Sequence, residues 1–127
     1  MTSPPARVQR ARIKGQPGMP PGAVYVGRPT RWGSPFTVAG AIDNGYAETP
    51  EQARAVCTTV FRSWLRGNRD WWMGPKADAT RERILAGLPE LRGRDLACWC
   101  PLPAEGETDH CHAAVLLEIA NQPDKQA

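Results

Sequence analysis

Apolar positions change their period several times along the chain. Ala53, Val56, Cys57, Val60, Phe61, Trp64 and Leu65 recur at helical spacing. Such a stripe predicts a helix packed on a core by one face. Thr49-Pro50-Glu51-Gln52 stands ahead of it, with an N-cap threonine, proline at the first helical position and glutamine at the capping-box position. Gly67 follows as a natural C-cap. Cys57 lies on the stripe, so it reads as a small buried hydrophobe rather than a ligand. Thr80 to Leu88 gives a shorter helix with Ile84, Leu85 and Leu88 inward, broken by Pro89. Ala113 to Ala120 is a third, ending near Asn121.

Strand patterns are shorter. Ala6 to Lys14 alternates imperfectly and predicts an edge strand, and Gly15 to Gly22 is a turn-rich connector. Ala23-Val24-Tyr25-Val26 is a β-favouring run stopped by Gly27. Gly93-Arg94-Asp95 turns into Leu96-Ala97-Cys98, a third strand. Arg28 to Phe36, Asn68 to Ala77 and Pro101 to Asp109 read as loops. Trp71 and Trp72 cannot both enter one core from one helix, so one of them caps an edge, lines a pocket or meets a partner. The order strand, strand, helix, helix, strand, helix predicts a small α/β domain, a short mixed or parallel sheet with about three helices. At 127 residues the expectation is one domain over 1–127, its core about 6–121 and its tails 1–5 and 122–127.

Charge changes this picture mainly at the start of the chain. The net charge is only +3, yet no acidic residue precedes Asp43. Arg7, Arg10, Arg12, Lys14, Arg28 and Arg31 stand uncompensated before it. Such a block attracts phosphates or acidic partners, or forms a solvated strand and tail. Zinc-finger ββα spacing, heptads after a basic region and an RNP motif are all missing, which argues against the standard sequence-specific readers. No apolar run reaches transmembrane length, and the N-terminal residues lack the apolar core of a secretory signal. The expected location is therefore the cytoplasm, with no membrane partner. Thiols there stay reduced, which favours a metal or a free thiol over disulfides.

Chemistry concentrates near the C-terminus. Cys98-Trp99-Cys100 is followed by His110-Cys111-His112, so five thiol and imidazole groups fall within fifteen residues. Residues two apart on a strand share a face, so Cys98 and Cys100 point one way and Trp99 the other. Cys111 and His112 sit at the start of the last helix. Zinc takes four such ligands in a tetrahedron. Cys98, Cys100 and Cys111 supply three thiolates, with His112 or His110 as the fourth ligand. An iron–sulfur cluster with one unusual ligand is the lesser alternative. Cys111 at a helix N-terminus is also the candidate catalytic nucleophile, because the helix end lowers a thiol pKa. The loop after the second strand is the candidate ligand site. Arg28 and Arg31 offer multi-donor recognition of phosphate, Trp32 a stacking face, Gly33 close backbone approach and Ser34 a hydroxyl.

Gly27-Arg28-Pro29-Thr30-Arg31-Trp32-Gly33-Ser34-Pro35-Phe36 and Cys98-Trp99-Cys100…Cys111-His112-Ala113-Ala114-Val115-Leu116-Leu117 together resemble the paired signatures of domain-of-unknown-function family 4326, a family of small bacterial and phage proteins. The resemblance runs over roughly residues 8 to 121. That family more often has asparagine in place of Ser34, and a shorter loop than Ala104 to Asp109 between the second and third cysteines. The resemblance supplies positions but no reaction.

Two function classes follow. One is a small enzyme acting on a nucleotide or nucleic-acid-derived substrate, with the Arg/Trp/Gly loop and the Cys/His loop forming one site beyond the strand ends. The other is a metal-stabilised binding module whose basic face meets nucleic acid or an acidic protein. The first requires an open metal position or an exposed reactive thiol, the second a closed metal site.

Overall fold

The computed structural model describes residues 4–16 and 18–122. Pro17 of the connector, and the expected tails except Pro4, Pro5 and Gln122, lie outside the described residues. The chain forms a small α/β fold with strands β1 (Arg7–Gln9), β2 (Val24–Tyr25) and β3 (Leu96–Cys98), and helices α1 (Val38–Asp43), α2 (Pro50–Leu65), α3 (Pro75–Leu91) and α4 (His112–Ala120). The sheet is parallel throughout, in the order β1-β3-β2. Arg7 pairs with Leu96 and Gln9 with Cys98 on one side of β3, and Val24 pairs with Leu96 on the other. All three strands therefore end at one rim, where Arg10, Val26 and Trp99 follow them.

Both outer strands are short because the chain leaves the ladder quickly. The Arg10 N–H still reaches the Cys98 carbonyl at 2.8 Å, but the next N–H, of Ala11, donates to Gly18 instead. Gly18 has φ +75°, and a Cβ there would run into the Ala11 carbonyl. Only glycine closes that turn.

The helices come as the caps dictate, with three corrections. Thr49 caps α2 as expected, accepting from the Gln52 N–H, while the Gln52 side chain reaches back one residue further than a capping box, to the Glu48 N–H. Helix α1 was not expected. Thr37 caps it and Asn44 ends it, but it is too short and too small-residued to show a period. Helix α3 begins at Pro75, five residues before the expected Thr80, because proline suits a first turn. It also runs through Pro89 to Leu91. A proline so near the end removes one intrahelical bond and is followed by only two more helical residues, so it does not stop the helix there.

The main core gathers Val26, Phe61, Trp64, Ile84, Leu96 and Leu116 with both Cys98 and Cys111. Helix α4 packs on β3 and β1, and α2 and α3 pack on α4. A smaller cluster of Ala41, Ala47 and Ala53 joins α1 to α2. Trp72 stacks on Trp64 at 5.8 Å, while Trp71 stays exposed, edge-on to Tyr46 at 5.5 Å. The adjacent tryptophans thus divide between core and cavity wall. Among the described residues, no helix is long and apolar enough to cross a membrane.

Cys57 faces the smaller cluster, half-buried, rather than the main core. With Phe36, Val56 and Trp71 it lines an open cavity of about 390 Å³. Burial raises its thiol pKa, against an opposing pull from Arg28. Native Cys57 should therefore react with a thiol reagent more slowly at neutral pH than the unfolded chain, and gain rate only at higher pH. Cys57→Ala should cost about 1 kcal/mol. Labelling as fast as in denaturant would contradict the assignment.

Candidate metal centre

Parallel pairing brings the end of β3 and the start of α4 together. Cys98 is the last residue of β3, and Cys111 is the N-cap of α4, in extended backbone with φ −135°. Cys98 and Cys111 are buried, and Cys100 is partly buried. The three Sγ atoms lie within 4.8 Å of one another, with Cys98 and Cys100 3.7 Å apart. Two thiolates on a tetrahedral zinc, at ~2.3 Å each, are themselves about 3.8 Å apart. The three cysteines can hold a metal ion.

His112 stands beside the three sulfurs. Its Nε2 is 2.7 Å from the Val26 carbonyl, which can only accept, so Nε2 donates there. Nδ1 is 3.9 Å from the Cys111 Sγ. A thiolate and an imidazole nitrogen on one zinc would stand about 3.6 Å apart. A second-shell hydrogen bond from the outer ring nitrogen to a carbonyl is the arrangement that fixes a ligating histidine. The edge of the Phe61–His112 ring pair, at 5.9 Å and 75°, holds the imidazole from the side. His110 is exposed and lines an outer cleft with Arg54, Leu102 and Cys100, and is not among the three residues whose ligand atoms lie within 4.8 Å of one another.

The three sulfurs act on one another unequally. The Cys98 thiol pKa is held well below the usual thiol range by hydrogen bonds from Cys100 and Cys111. Cys111 is pushed far up, by those same two sulfurs and by burial. Cys100 is raised as well. Cys111, the candidate nucleophile, is 2 % exposed.

Arg7 is the residue the sequence reading missed. It was counted with the solvated or anion-binding cations, yet it is only 8 % exposed. Its Nε and Nη2 hold the Asp109 carboxylate at 2.7 and 2.9 Å, and Nη1 and Nη2 donate to the Cys100 and Pro101 carbonyls at 2.7 Å each. Burial works against its charge, but the Asp109 hydrogen bond and the electrostatic pull of Cys111, Asp109 and Cys100 outweigh it and raise its pKa. One guanidinium thereby clamps both ends of the long loop 101–109. The loop's length does not loosen the cysteines. An apolar–basic alternation in a strand gives no sign of this role, since a buried arginine reads like an exposed one.

The candidate ligand residues of the Arg28-to-Phe36 loop make contacts of their own within the fold. Arg31 pairs with Glu90 on α3 and lies 4.8 Å over the Trp32 ring. Arg28 is exposed, packs on Gly33 and acts on Cys57 rather than on the cluster. Gly33 makes room for that arginine, since a Cβ would stand 2.8 Å from Arg28 Cγ. Ser34 is buried and its hydroxyl accepts from the Phe36 N–H at 3.1 Å. Trp32 packs on the core, with its indole N–H buried and unpartnered among the described residues. The link between this loop and the cysteines is the His112–Val26 hydrogen bond at the loop's root, not a shared set of arginines and thiols.

The family model described as Domain of unknown function (DUF4326) matches residues 8–122. No curated protein and no solved structure matches the chain.

Proposed function

We propose a role for a chain that belongs to the DUF4326 family: it is a metal-stabilised binding module, with one zinc ion held by Cys98, Cys100, Cys111 and His112. The observation that carries this is the donor geometry, three sulfurs within 4.8 Å and an imidazole nitrogen 3.9 Å from one of them. Thiolate and imidazole are the donors zinc favours, and four of them make a closed, structural site. The ion ties β3 to α4, and so the sheet to the helix that packs on it. Three thiolates and a divalent cation leave net negative charge, which Arg7 sits beside. The enzyme reading needs an open position, an activated Cys111 or two arginines free for a phosphate. The burial of Cys111 and the Arg31–Glu90 pair favour the module instead. Reduced thiols suit a reducing compartment, so the cytoplasm remains the proposed location.

Elemental analysis of reduced protein, purified without a histidine tag, tests the site. About one zinc per chain is the expected result. Substoichiometric metal, together with no stabilisation on adding zinc, would overturn it. Broad visible absorption would assign an iron–sulfur cluster instead.

A further inference from the structure

The sheet has a second face, opposite the cysteines. Alternation places Cys98 and Cys100 on the α4 side, and Trp99 on the other. Tyr25 shares that other side, with the Tyr25 and Trp99 rings 6.5 Å apart and edge to face. Trp99 is 41 % exposed. A parallel sheet normally has both faces covered. Here the aromatic pair carries guanidinium groups: Arg10 lies 4.6 Å from the Tyr25 centroid and 5.0 Å from that of Trp99, and Arg12 lies 5.4 Å from that of Trp99. A shallow groove of about 450 Å³ follows, lined by Arg10, Arg12, Ile13, Lys14, Gln16 and Trp99. None of these is a carboxylate. Exposed Arg12 and Lys14 thus lie with Arg10 beside one exposed indole, at the carboxyl ends of the strands, where open α/β sheets bind ligands.

We propose that this face binds single-stranded nucleic acid. A base stacks on Trp99, and the phosphates on either side meet Arg10, Arg12 and Lys14. Aromatic platforms beside a basic groove bind single strands with little sequence preference, because every base has a π face. A duplex hides those faces, and an acidic peptide has no need of the indole. The inference deepens the module reading by naming its partner, and rests on it in one respect. With Cys98 and Cys100 fixed to a common ion, Trp99 between them has one side to project from, so the platform is rigid before the strand arrives.

The test is fluorescence anisotropy of a labelled oligothymidylate of about ten nucleotides, titrated with the metal-loaded full chain at low and moderate salt. Affinity should fall with salt at a log–log slope near 2, for three phosphate contacts at ~0.7 each. Trp99→Ala should weaken binding about tenfold and Trp99→Phe should recover most of it. Replacing Arg10 and Arg12 with Gln should flatten the slope to below about 1. Zinc content is measured on every variant. No binding at low salt overturns the proposal. So does equal affinity for a duplex regardless of Trp99, or displacement of the oligonucleotide by polyglutamate with no difference between wild type and Trp99→Ala. Trp99-dependent binding by a chain that holds no zinc would sink the metal reading and leave this surface standing. Stoichiometric zinc without oligonucleotide binding would do the reverse.

Discussion

Chelating the ion from the Cys98/Cys100/Cys111/His112 centre should lower the melting temperature by on the order of 15 °C. The ion binds the folded chain far better than the unfolded one, and a ligand present at about a thousand times its Kd stabilises by roughly 4 kcal/mol. For a domain of this size each kcal/mol moves the midpoint by about 4 °C. The structural reason is placement. Cys98 ends β3, Cys111 caps α4 and His112 opens its first turn. Without a metal, three sulfurs lie within 4.8 Å of one another in a largely buried cluster. With it, thiolate charge is matched and the end of β3 is cross-linked to the start of α4. Thermal melts with and without chelator, followed by zinc readdition, read the effect directly. Cys111→Ser should reproduce the chelated melt and lose its response to zinc, whereas Cys57→Ser should keep that response. An unchanged midpoint after complete metal removal would refute a structural role. The apparent zinc affinity should also fall as pH is lowered, because the ligating thiols must lose their protons.

Arg7→Ala should be the most destabilising single change outside the metal ligands, at about 3–5 kcal/mol. The Arg7 side chain is 4 % exposed and that of Asp109 20 %. Truncating the arginine strands a largely buried carboxylate and frees the Cys100 and Pro101 carbonyls together. Removing one member of a buried pair costs far more than the pair is worth as a whole. Because Cys100 is also a proposed metal ligand, Arg7→Ala should weaken zinc binding by about 10- to 100-fold, the usual effect of losing an outer-shell partner. Arg7→Lys should retain charge but lose the two-pronged grip on Asp109, and fall between wild type and alanine. Chemical denaturation together with competitive zinc titration separates the two effects. A stability loss below about 1 kcal/mol, with zinc affinity intact, would show that the clamp is not needed.

Local rules explain what was legible in the sequence. The helix α2 stripe and its Thr49 cap, the β3 turn and the Cys111–His112 helix start are all set by neighbours within a few residues. So is the common direction of Cys98 and Cys100, which follows from strand pleat alone. Their meeting with Cys111 was foreseeable because one loop joins them. The boundaries of α3 were misjudged because Pro75 and Pro89 carry the same local signal, while their effect depends on position within the helix. The order β1-β3-β2, with β3 at the centre, was a tertiary outcome, since α/β crossovers of any sequence length can bring strands side by side. That order decided the fate of the basic block. Pairing β1 beside β3 carried Arg7 into the Asp109 clamp, and folding of α3 against the loop gave Arg31 its partner Glu90. It left Arg10 and Arg12 over Trp99. A guanidinium in a sequence shows its charge but not its counter-ion, and that counter-ion here lies 59 residues away for Arg31 and 102 for Arg7. The ligand types were therefore written locally, whereas which cations are spent inside the fold and which face outward was decided only by strand order and packing.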